Sequence, residues 1–188
     1  MTTLRSVFLG ALALGLLAGC TRRTDAIPPE VVLEDLPDQE TWDATLALSM
    51  DGRRRALVHA PYLARFEHRD STFARFGPAD GRDTTRVHVE VFDEAGAPSA
   101  TVDSDRLTYF DAERRFVAEG DVVVRTETGK TLRAEVLTWD EAARRLRTDG
   151  FVRITSPDEQ IQGYRLDADE NLDTYSLARI TGQVRVEE

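Results

Sequence analysis

From Trp42 onward apolar and polar residues alternate with a period of two, and after Gly19 no sustained helical period replaces it. Residues two apart in an extended chain share a face. Leu132, Ala134 and Val136 against Arg133 and Glu135, Val152 and Ile154 against Arg153, and Val184 and Val186 against Arg185 therefore predict strands with one apolar and one charged side. Trp42, Ala44, Leu46 and Leu48 open the pattern, and Asp51-Gly52 is a turn signal. Residues 56–66 resume it, with Pro61 predicting a sheet edge or a bulge. A loop is expected over 77–83, around Gly77, Pro78 and Gly81. Val87, Val89 and Val91 then alternate, and residues 94–98 turn the chain again. The pattern predicts an all-β domain, an antiparallel meander of about ten to fourteen strands with hairpin-length connections.

The second half of that meander repeats itself. Leu-Thr-Tyr109, a charged turn and Gly-Asp-Val-Val-Val124 are followed by Leu-Thr-Trp-Asp140, a turn and Gly-Phe-Val-Arg-Ile154. A third copy runs from Ile161 through the acidic turn near Glu170 to Gly-Gln-Val-Arg-Val186. Gly120, Gly150 and Gly182 lie 30 and 32 residues apart, the spacing of stacked supersecondary units. The turns at 110–114 and 140–144 are too short to nucleate a helix and sit where hairpins need loops. Each landmark glycine stands just before a Val-rich or β-branched run, where either a bulge or a plain turn would call for it.

The N-terminus adds an address. Arg5, an apolar and glycine run over 7–18 and Leu-Ala-Gly-Cys20 have the layout of a secretory signal, and twelve apolar residues fall short of the about 20 a bilayer span needs. Leu-Ala-Gly-Cys resembles the bacterial lipobox, which implies that Cys20, the only cysteine, is lipid-modified and anchors the chain. The expected organisation is a signal peptide over 1–19, a lipidated Cys20 with an acidic, proline-bearing tether over 20–41, and the β domain over 42–188. Removing 1–19 takes one arginine and no acid from 24 basic and 34 acidic residues, which leaves a net charge of −11. Such a surface does not suit nucleic acid.

No motif for chemistry stands out. His59, His68 and His88 are scattered without metal-ligand spacing. The run Asp167-Ala-Asp-Glu-Asn-Leu-Asp173 begins like a calcium loop but has Leu172 where glycine is wanted and Ala178 where a glutamate should sit, so it reads as a solvated hairpin turn. Nucleophile-elbow, phosphate-loop and dinucleotide motifs are absent from the sequence, and pairs such as Asp103 and Asp105 arise freely among 34 acids. The expectation is a protein that is not an enzyme and takes no metal or cofactor.

The ordered pattern of Leu-Thr-Tyr/Trp strand, basic turn and Gly-x-Val-x-Val/Ile, closing with Ile161-x-Gly-x-x-Leu-x-Ala-Asp169 and Gly182-x-Val-x-Val186, resembles the LptC family of lipopolysaccharide export and its OstA-like/LptA relatives across about residues 42–186. The resemblance implies an open, twisted β-jellyroll, two sheets folded into a V. It also implies a role as the membrane-anchored periplasmic part of the export bridge, passing lipopolysaccharide from the inner-membrane ABC transporter to an LptA-like protein by edge-to-edge strand pairing. Within that V, the residues expected to line an apolar groove are Tyr109, Val122, Val124, Leu132, Ala134, Val136, Trp139, Val152, Ile154, Ile161, Val184 and Val186. The edges are expected at 42–48 and 182–188. Two alternatives stay open: an outer-membrane or soluble-type lipid-binding jellyroll lipoprotein, and a structural β-repeat lipoprotein whose apolar faces close into a dry core.

Overall fold

A computed structural model of the protein describes residues 36–68, 71–80 and 83–184, with side chains placed up to Gly182. Every regular element among them is a strand. β1 (Gln39–Met50) and β2 (Arg53–His68) form a hairpin through Asp51 and Gly52. Both turn residues have positive φ, as a tight two-residue hairpin requires. β3 (Ser71–Gly77), β4 (Val87–Phe92), β5 (Pro98–Ser104) and β6 (Arg106–Phe110) are short. β7 (Arg115–Thr126), β8 (Thr131–Asp140), β9 (Arg145–Thr155), β10 (Glu159–Asp169) and β11 (Tyr175–Val184) are long and pair consecutively. Eleven strands make one antiparallel sheet.

The sheet divides and rejoins. β2 pairs with β4 over 56–59 and with β3 over 62–68. β7 pairs with β5 over 123–126 and with β6 over 115–119. The two divisions fall at Pro61, which has no N–H to give, and at Gly120-Asp121, which bulge. One arm of the folded sheet therefore carries β4, β5 and the 122–126 half of β7, and the other carries β3, β6 and its 115–119 half. Beyond β7 the same break recurs on each strand: the register shifts between Ala134 and Thr138, between Tyr164 and Leu166, and again opposite Arg179. Asp121, Arg165 and Arg179 all have positive φ at these points. An aligned row of irregularities bends the whole sheet along one line, and the apolar sides of both arms turn toward each other.

That bend corrects the simple alternation. On β8, Ala134 and Leu137 are both buried, and the slip between them turns Val136 outward to pair with Glu119 at 39% exposure. Val136 thus lies off the apolar side where period two placed it. Gly120, Gly150 and Gly182 all lie inside strands, so none is a plain turn glycine. Gly120 has φ +80, and a Cβ there would run into the Asp105 side chain. Gly182 instead sits in a regular pair with Ile161, and the irregularity of β11 lies at 179–180.

Candidate functional site: an apolar lumen with a bridged rim

The facing sides of the two arms merge into one apolar cluster. The first arm gives Ala56, Val58, Val89, Val122, Leu132, Val152 and Ile154, and the second gives Phe76, Leu107, Phe116, Leu137, Trp139, Leu146 and Leu166. Among the residues expected in a groove, Val122, Val124, Leu132, Ala134, Trp139, Val152 and Ile154 are brought together here, all buried. Tyr109 packs against the cluster half-buried, and Ile161 is half-buried near the free end of the sheet. Val184 is described only as strand backbone. Val186 and Cys20 lie outside the described residues. Phe116, Leu137, Leu146 and Leu166 were not anticipated, because the bends shift the phase that a strict alternation would carry through each strand.

Within the cluster a cavity of about 40 Å³ is lined by Val89, Val91, Ala100, Val102, Leu107, Phe116, Ala118, Val124, Leu137, Trp139, Leu146 and Glu170. Glu170 is the one charged residue among these, so the space is almost wholly apolar. An aromatic ladder walls it: Tyr109 stacks on Phe116 at 4.4 Å between ring centres, and Phe116 on Trp139 at 5.0 Å. Trp139 Nε1 is buried with no hydrogen-bond partner among the described residues. Burial pushes the Tyr109 phenol above its ordinary pKa, and the neighbouring Asp111 and Glu141 carboxylates add to the rise.

The rims of the two arms meet. The turns of the first arm (51–52, 93–97, 127–130, 156–158) face those of the second (111–114, 141–144, 170–174). β10 shows how far the sheet closes: nine residues separate Glu159 from Ala168, about 30 Å in a straight strand. Tyr175, the cross-strand partner of Ala168, nevertheless donates its hydroxyl to Glu159 at 3.3 Å. Lys130 Nζ donates to the Leu172 carbonyl at 2.9 Å and to Asp173 Oδ1 at 2.7 Å. Arg144 bridges to Glu94 at 2.7 Å and to Glu170 at 2.8 Å. Arg55 reaches Glu170 at 3.3 Å, and the side chains of this pair are 4% and 7% exposed. Arg53, Arg55, Arg114 and Arg144 line a cleft along this rim together with Asp51, Glu94 and Glu141, and Glu170, outside that lining, pairs with Arg55 and Arg144.

The acidic turn departs most from its sequence reading. Leu172, expected in a solvated hairpin turn, is fully buried in the lumen cluster. Asp169 orders the turn by accepting backbone N–H bonds from Asn171, Asp173 and Thr174 at 3.0, 2.9 and 2.6 Å. Burial alone would raise its carboxyl, but these three donors outweigh burial and hold its pKa below the ordinary aspartate value. A leucine between Asn171 and Asp173, the one apolar residue of an acidic turn, is the available signal. On the outer surface, Asp103 is likewise held low: burial would raise it, and His88 at 2.8 Å and Arg125 outweigh that. No group of three or more His, Cys, Asp or Glu among the described residues is placed to hold a metal. No helix among them is long and apolar enough to cross a membrane.

A single antiparallel sheet bent over an apolar interior, with β1 and β11 left as its edges among the described strands, is an open β-jellyroll. Residues 31–186 match the family model of lipopolysaccharide-assembly, LptC-related proteins. The chain belongs to this LptC family, whose role is in lipopolysaccharide transport. It is a family of periplasmic, inner-membrane-associated transport proteins rather than a known enzyme family. A comparison with curated proteins finds no match.

Proposed function

We propose that this protein is the membrane-anchored periplasmic component of a lipopolysaccharide export bridge. It takes lipopolysaccharide from the inner-membrane transporter, shields the acyl chains between its two arms and passes them to an LptA-like jellyroll. The observation that carries this reading is the apolar cluster between the two arms of a sheet whose edges among the described strands are β1 and β11. Shielding is worth about 0.8 kcal/mol for each CH₂ kept from water, so an apolar trough lowers the cost of an aqueous crossing in proportion to chain length. The free edges offer unpaired backbone groups to a further strand on either side. Cys20 supplies the lipid anchor, with the inner membrane as its site, and the acidic segment over 20–41 is the tether.

The experiment is photocrosslinking in cells, with the photoreactive residue at Val124 or Ile154 inside and at Val136, Arg133 or Arg153 outside. Adducts with lipopolysaccharide are expected at the two buried positions only, and only while cellular ATP is maintained. Folded, abundant protein that gives no adduct at Val124 or Ile154 would instead identify a closed structural domain.

A further inference from the structure

Among the largest fully buried side chains, Leu132, Val58, Val87, Val122, Val123, Val152 and Ser104 all lie within strands, whereas Leu172 lies in a turn. A strand residue cannot leave the interior without breaking its ladder of backbone hydrogen bonds. Leu172 can, because the turn that carries it is organised from within by Asp169 and is tied to the opposite rim from outside. It also holds φ 59, an uncommon conformation for a bulky residue that persists where the surroundings impose it. At the water boundary the tie is Lys130, whose one ammonium takes both the Leu172 carbonyl and the Asp173 carboxylate, while Arg55 holds Glu170 of the same turn from the buried side. The Lys130 side chain is 25% exposed and that of Asp173 62%, so the tie sits at the water boundary, where ion pairs open readily.

We propose that Leu172 is the resident occupant of the lumen rim and that the turn bearing it is a latch, held by Lys130, which opens when an acyl chain takes the leucine's place. This rests on the reading of the lumen as an acyl path. Leu172 lines a rim space of about 360 Å³ with Lys130, Ile154, Asp173 and Tyr175, outside the cavity of about 40 Å³ within the cluster, so an acyl chain that moves from this rim space into the interior takes the leucine's place. Exchange of one apolar occupant for another keeps the lumen dry throughout. The ligand class is a lipid acyl chain, and the cation at the rim serves the closed state.

The test uses the full mature lipoprotein in detergent micelles, a photoreactive residue at Val124 and purified lipopolysaccharide, and reads the initial rate of adduct formation. Lys130→Glu is expected to raise that rate about threefold to fivefold, the range one boundary ion pair supports. Lys130→Glu combined with Asp173→Lys returns it to within about twofold of the parent, and Leu172→Ala raises it without touching the pair. Unchanged rates in Lys130→Glu and Leu172→Ala overturn the latch. A lowered rate in Lys130→Glu also overturns it and makes Lys130 a contact for the lipid's anionic headgroup. If the parent protein itself gives no adduct at Val124, the lumen reading fails, and the latch with it.

Discussion

Asp169 is the side chain on which the closing turn depends. One carboxylate accepts three backbone N–H groups that would otherwise compete for water, and such charge-assisted bonds are the stronger kind. Asp169→Asn keeps an acceptor but loses the charge, and should cost about 1–2 kcal/mol in urea unfolding at neutral pH. The pH dependence has a definite sign. The folded-state pKa lies below the ordinary 3.8, so the stabilisation is complete above that value and drains away as pH falls through the lower folded value. Unfolding free energy of the parent protein should decline on acidification below about pH 4, with a shallower decline in Asp169→Asn. Equal slopes would show that the carboxylate is not held by the turn.

At the scale of elements, the bulges decide the shape. Gly120 has φ +80 and no room for a Cβ beside Asp105, whereas Gly150 has ordinary φ and only Thr148 Oγ1 nearby at 3.4 Å. Gly120→Val should therefore destabilise by about 2–3 kcal/mol, and Gly150→Ala should stay within about 0.5 kcal/mol. Chemical denaturation of both variants checks the contrast. The same bulges mark the limit of what the chain pattern discloses. Hairpins and turn positions follow from period two and from Gly, Asp and Pro placement, and the structure has them, whereas the edges at 42–48 and 182–188 rest on the family resemblance, and 185–188 lie outside the described residues. Val136 and Leu172 do not follow. A register slip is settled by the strand alongside, not by the residues that slip, and Leu172 is drawn inside by the arm opposite its turn. Both are tertiary decisions, so alternation finds seven residues that are buried in one cluster and misses the phase beyond each bend.

For the molecule as a whole, β1 pairs only with β2 and β11 only with β10 among the described strands, which leaves one free edge at each end of the strand order. Ile180, 58% exposed on β11, stands where a following jellyroll would add its strand. Ile180→Lys should leave thermal stability nearly unchanged, since the residue is already in water, and should reduce co-purification with an LptA-like partner at least severalfold, because edge lysines oppose strand addition. Undiminished co-purification would place the partner elsewhere.

The division of the sheet at β2 and its rejoining at β7 give both arms the same number of strands: β4 and β5 on one side answer β3 and β6 on the other. Each arm is thus nine strands from β1 to β11, and at about 4.8 Å per spacing it measures about 40 Å. In the proposed bridge, arms of equal strand number would present matching ends to a neighbouring domain of the same build. A path assembled this way lengthens in increments of about 40 Å, and the distance it covers is set by how many such domains stand in line.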